Sequence, residues 1–235
     1  MPRATHPSAG GLCYHVINRG NARARVFHDE ADYRSFVKLL SAANERLPMR
    51  LLAYSLMPNH FHLVLWPLHD GDLGRWMQWL LTSHVRRHHC RHGTEGHVWQ
   101  GRYKGFPIEQ GDHLMTVLRY VERNALRANL VARAEDWPWC SLALLSSAAR
   151  GEILHPGPMP RPEDWYERVN QPASEAELAA LRRSVNRGTP WGSAPWVART
   201  AAAFGLESTL RPRGRPRKPS TAQDQKRGQA TFSEK

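Results

Sequence analysis

Cysteine is scarce in this chain: Cys13, Cys90 and Cys140 are scattered, and no CxxC pair occurs. That excludes a disulfide framework and a four-thiolate zinc centre, and it fits a reducing compartment. Long apolar runs are also missing. With a mean hydropathy of −0.59 and no uninterrupted stretch near the roughly 18 residues that a membrane helix needs, no transmembrane segment is expected. The start, Met1-Pro2-Arg3-Ala4-Thr5-His6, lacks a signal-peptide core, so secretion is not expected either. Acidic residues are the third shortage: 21 Asp and Glu face 33 Lys and Arg, leaving a formal charge of +12 over 235 residues. A basic protein of this kind most often has a polyanion as partner. What is present in quantity is core material, since 41% hydrophobic residues suffice for a folded body.

The charge is uneven. Residues 211–235 hold eight Lys or Arg and two acids, so half of the net charge lies in this tail, which is rich in Pro, Gly, Ser and Gln and reads as disordered until bound. Three regions follow: 12–145, where strand-like and helix-like patterns alternate; 146–210, a Pro-rich and helical extension; and the basic tail, 211–235.

Within the first region, Leu12 to Asn18 reads as a strand and Asp29 to Asn44 as a helix capped by Asp29. Arg50 to Met57 and His60 to Trp66 read as antiparallel strands flanking the turn signal Pro58-Asn59. Gly71 to His92 is a long helical pattern stopped by Gly93. His97 to Glu109 reads as a further strand carrying Arg102 and Lys104, and Asp112 as the cap of a helix running to Leu126. The order β-α-β-β-α-β-α matches an α+β fold: a ferredoxin-like split βαβ antiparallel sheet with helices on one face, followed by one more helix.

His60-Phe61-His62 is the sharpest local feature. Residues two apart on a strand share a face, so both imidazoles project side by side and can chelate one divalent ion; the bare spacing also suits two polar-face residues. Tyr120 and Asn124, spaced i, i+4, share a helical face. A mid-helix Asn sacrifices helix propensity and often has a side-chain role. Two imidazoles and an amide oxygen suit a divalent cation with positions open for phosphate oxygens, and a phenol becomes a useful nucleophile once it loses its proton beside such an ion.

Pro58-Asn59-His60-Phe61-His62, then Trp99-Gln100-Gly101-Arg102-Tyr103-Lys104, then Arg119-Tyr120-Val121-Glu122-Arg123-Asn124 resemble the single-tyrosine HUH transposases, and most closely the REP-associated tyrosine transposases. The resemblance implies an enzyme that cleaves and rejoins single-stranded DNA beside hairpins, with Mg²⁺ or Mn²⁺ as cofactor. Tyr120 would be the nucleophile that forms a 5′-phosphotyrosine, and His60, His62 and Asn124 the metal ligands. It also implies a monomer or homodimer in the cytoplasm, associated with the nucleoid. Ala125 and Asn129 stand where family members commonly have Pro and Gly; Ala125 should lengthen or straighten the helix, and Asn129 can still supply a left-handed cap.

Arg19, Arg86, Arg87, Arg102 and Lys104 are candidate DNA-backbone contacts, with Trp99 or Tyr103 available for base stacking. In the tail, Arg213, Arg215 and Arg217 lie in a Gly-Arg-Pro segment resembling an AT-hook core, which fits a narrow minor groove; a plain solvated basic tail reads equally well. His84, His88 and His92 recur at i, i+4, i+8. Three arginines share their run with no acid beside them in sequence, which favours a phosphate-facing helix surface over a metal site. Glu109, Glu122 and His113 are candidate proton shuttles. Two other function classes suit the same residues: a catalytically silent DNA-binding regulator, and a metallohydrolase in which water attacks and Tyr120 is structural.

Overall fold

The computed structural model of the protein describes residues 8–145 and 153–211. Its centre is a four-stranded antiparallel sheet made of β1 (Cys13–Arg19), β2 (Arg50–Met57), β3 (His60–Trp66) and β4 (Lys104–Ile108), in the order β2-β3-β1-β4. That order and the two crossover helices, α1 (Glu30–Arg46) and α2 (Asp72–His92), make the ferredoxin-like split βαβ arrangement.

Strand parity decides which face each helix takes. Phe61, Leu63 and Leu65 of β3 join Tyr14 and Val16 of β1 in a core with Phe36, Leu39 and Leu40 of α1 and Trp76, Met77 and Leu80 of α2. Each such side chain contributes about 1.5–3 kcal/mol on burial. Asp29 caps α1 as its sequence indicates, accepting from the amides of Ala31 and Asp32 at 2.9 and 3.1 Å. Gly93 ends α2 in the left-handed conformation, φ 60°.

The further helix, α3 (Asp112–Glu122), covers the opposite face of the sheet, where Leu114, Val117, Leu118 and Val121 pack on Cys13, Ala53, Val64 and Phe106. Its N-cap is Gly111 rather than Asp112. The helix does not run straight to Leu126: Arg123, at φ −81° and ψ −2°, separates it from α4 (Asn124–Arg127), so Ala125 neither lengthens nor straightens it. Asn129 takes the left-handed conformation, φ 55°.

The stretch before β4 also departs from expectation. Pairing with β1 begins only at Lys104, so Arg102 lies ahead of the strand, in a bend containing Gly101 at φ 145°. Val98, Trp99 and Tyr103 gave this stretch its apolar look because they are buried in the α1–α2 core, not because they form a ladder. One isolated bridge, Gly20 to Trp99, ties it to β1. Gly20 is needed there, since a Cβ would collide with the Ala24 carbonyl.

Beyond α5 (Ser141–Leu144), the helices α6 (Trp165–Asn170), α7 (Glu175–Arg187) and α8 (Ala194–Phe204) follow. α6 packs on α3, and α7 on β4. A buried carboxylate anchors this part: Glu122 accepts from Ser141 Oγ at 2.8 Å, Trp165 Nε1 at 2.6 Å and Arg161 Nη2 at 2.9 Å. Glu109 accepts from the backbone and hydroxyl of Ser193 at 2.6 and 3.2 Å and lies 3.6 Å from His113. These two glutamates therefore act as clamps between segments.

Candidate nucleic-acid cleavage site

On the α3 face of the sheet, strand register sets the site. His62 lies opposite Ile17 of β1 and Ser55 of β2, and His60 opposite Arg19 and Met57. Period two brings the His60 and His62 rings together, with centroids 5.0 Å apart at 78°. His15, two residues before Ile17, is the diagonal neighbour of His62 and stacks on it at 5.0 Å and 14°. The sequence reading missed His15; its signal was a lone ionisable residue inside the apolar run from Leu12.

The outer nitrogens of the pair are fixed by neighbours. Nδ1 of His60 donates to Asn59 Oδ1 at 2.7 Å. Nδ1 of His62 and Nε2 of His15 share a bond of 2.8 Å. With the proton on His62 Nδ1, both members of the pair keep a lone pair on Nε2. Their protonated forms are strongly disfavoured. Burial pushes His60 down to about 4, helped by the charges of Arg19 and Arg127. Burial takes His62 well below the usual imidazole range, with His15, His60, Arg127 and Arg19 adding to it, and burial alone takes His15 to about 3. At neutral pH all three are uncharged, the form that binds metal. The pair could therefore hold a divalent ion.

Tyr120 projects from α3 with its ring 5.8 Å from that of His62 and 6.2 Å from that of His15. The Arg127 guanidinium lies over the phenol ring, 4.5 Å from its centroid. Asn124 is buried just beyond the break at Arg123, and its Oδ1 accepts from Arg127 Nη2 at 2.7 Å. Arg127 thus links the two residues, and sequence spacing gave no hint of its importance. Its Nη1 and the Nδ2 of Asn124 are buried donors without a partner among the described residues, the kind of group that a ligand oxygen satisfies.

Ile17, Arg19, His60, His62, Tyr120 and Arg127 share a cleft of about 350 Å³ with Arg182, Val185 and Asn186 of α7. Among the described residues, three arginines and no carboxylate line it. An adjoining cavity of about 220 Å³ extends past Arg102 and Lys104, sharing Arg19, Val185 and Asn186 with the first. Arg86 and Arg87 are elsewhere, exposed on α2, the helix that covers the other face of the sheet. Trp99 and Tyr103 are buried in the α1–α2 core rather than presented for stacking. Arg213, Arg215 and Arg217 lie outside the described residues. No described helix is long and apolar enough to cross a membrane.

Comparison with known proteins agrees with this fold. The family described as "Transposase IS200 like" matches residues 8–124. The chain belongs to that family, whose class is that of a transposase, a DNA-processing protein. Among curated proteins it is similar to a REP-associated tyrosine transposase of Haemophilus influenzae, at 26% identity over 52% of this chain and 69% of the relative. Among solved structures, a REP-associated tyrosine transposase bound to a REP hairpin superposes with a TM-score of 0.53 and 17% identity, covering 74% of this chain and 92% of that one.

Proposed function

We propose that the protein cleaves and rejoins single-stranded DNA near hairpins through a covalent bond to Tyr120. The observation that carries the reading is the phenol ring 5.8 Å from that of His62, in a cleft lined, among the described residues, by three arginines and no acid. The Tyr120 oxygen attacks the scissile phosphorus and loses its proton to solvent. The bond from phosphorus to the 3′-oxygen breaks, and that oxygen leaves as a hydroxyl after taking up a proton. One phosphodiester replaces another, so rejoining by the reverse step needs no nucleotide cofactor.

His60 and His62, through their Nε2 atoms, would hold a divalent cation, Mg²⁺ or Mn²⁺, which supplies Lewis-acid polarisation of the phosphate. Asn124, the third ligand implied by the resemblance, keeps a second lone pair on the Oδ1 that accepts from Arg127. Arg19, Arg127 and Arg182 face the strand's phosphates, and Arg102 and Lys104 extend the basic path along the adjoining cavity. The hairpin preference follows the solved relative, which is bound to a REP hairpin. Arg213, Arg215 and Arg217 add salt-sensitive affinity from the tail.

The test is covalent capture. With Mg²⁺ or Mn²⁺, wild-type protein converts a single-stranded hairpin oligonucleotide into a denaturant-resistant conjugate; His60→Ala, His62→Ala and Tyr120→Phe each lose it. Conjugates that persist in Tyr120→Phe remove the nucleophile from Tyr120. Cutting by that variant without a conjugate favours attack by water, and binding by wild type with no conjugate favours a silent regulator.

A further inference from the structure

We propose that His28, His88 and His92 form a second metal site, a three-histidine centre for a borderline divalent ion such as Zn²⁺, on the α1–α2 face of the sheet. Nothing in the cleavage chemistry requires it.

The three side chains come from distant parts of the chain. His88 and His92 are one turn apart on the last turns of α2, and His28 lies just before the cap of α1. Their ligand-capable nitrogens all lie within 4.8 Å of one another. The rings converge, with centroids 4.7 Å apart for His88 and His92, 4.8 Å for His28 and His92, and 5.9 Å for His28 and His88. His84, the first member of the sequence trio, does not join them. It is buried against Phe27, Phe36 and Trp99 at 5.8, 5.1 and 5.1 Å, as a core residue.

The polar inventory points to a ligand. Both ring nitrogens of His88 are buried without a partner among the described residues, an arrangement that costs free energy unless something binds there. His92 is already oriented as a ligand would be: its Nε2 meets the Asp32 carboxylate at 3.0 and 3.1 Å, leaving Nδ1 for an ion. Asp32 also accepts the backbone amide of His28 at 2.8 Å, so one carboxylate positions two of the three histidines. Carboxylate–histidine–metal chains of this kind are the usual support of imidazole ligands.

The charge objection raised by the arginines weakens in three dimensions. Arg91 is paired with Asp29 at 2.7 Å and Asp32 at 3.2 Å, acids supplied by the start of α1, while Arg86 and Arg87 are exposed to solvent. An all-imidazole donor set favours Zn²⁺ and its neighbours over Mg²⁺ or Mn²⁺. Three protein ligands leave one position for water. The ion would pin the end of α2 to the start of α1.

The experiment uses full-length protein carrying His60→Ala and His62→Ala, stripped with chelator, and titrates Zn²⁺ alone against a chromogenic chelator. A single equivalent binds. His28→Ala, at an exposed position, weakens binding by at least about tenfold, and Asp32→Asn by roughly tenfold. His88→Ala abolishes it. Co²⁺ in place of Zn²⁺ gives the intense visible bands of a four-coordinate ion. Should the cleft substitutions disturb folding, wild-type protein is compared with His88→Ala, and the variant takes up one equivalent fewer. Absence of Zn²⁺ binding in the cleft variant, or unchanged affinity on replacing His28 and His88, overturns the proposal.

Discussion

The two faces of one sheet have opposite characters, although the same strands build both. Toward α1 and α2, alternate residues of β1 and β3 are Tyr14, Val16, Phe61, Leu63 and Leu65, all buried in a continuous apolar core. Toward α3, the residues between them include His15, Ile17, His60 and His62, and the cover is incomplete, so a cleft opens between the sheet, α3 and α7. Both faces carry an apolar core, but the α3 face gives up part of its own to keep neutral imidazoles and, among the described residues, unpaired donors where a phosphate could use them. Sites of perturbed titration tend to mark function for this reason.

That contrast can be attacked at its seam first. Glu122→Ala strips Arg161, Ser141 and Trp165 of a shared buried partner and leaves a guanidinium that is 7% exposed without its counter-charge. A loss of about 3–5 kcal/mol is expected in urea unfolding. Next come the faces themselves. Phe36→Ala empties a site in contact range of Phe27 and Phe61, with ring centroids 5.4 and 5.3 Å away, and should cost about 3–4 kcal/mol. His62→Ala, on the other face, should cost clearly less while eliminating DNA conjugates. Equal losses would dissolve the distinction between the faces.

Acid gives the smallest effect per step. His15 and His84, one on each face, are held by burial near 3 in the folded protein, against an ordinary value of 6.5. Between those values the unfolded chain takes up protons that the folded chain refuses, so stability falls as the pH drops below about 6.5. Each histidine contributes about 1.4 kcal/mol per pH unit. Denaturant midpoints at pH 7 and pH 5 read the slope, and His84→Leu should flatten it.

Much of this was legible in the chain because short-range periodicity wrote it there. The alternation from His60 to Trp66 specified both the strand and the pairing of the two imidazoles, and Asp29 and Gly93 marked their helix ends. The failures share another cause, tertiary contact overriding local pattern. Val98, Trp99 and Tyr103 look like strand residues because they are buried, yet they are buried as loop. The apolar pattern through Leu126 reads as one helix, yet the helix is divided at Arg123. The convergence of His28 on His88 and His92, the stacking of His15 on His62 and the arrival of α7 over the cleft depend on chain paths that no residue spacing encodes.

The family match stops at residue 124, whereas the wall formed by Arg182, Val185 and Asn186 comes from a helix far downstream. On the proposed reading, the reacting groups and the wall that faces them therefore lie on separate stretches of polypeptide. If the cleft admits a DNA strand as proposed, substitutions along that helix would reshape its wall while the sheet and α3 keep the imidazoles and the phenol in place, so selectivity could change apart from the reaction.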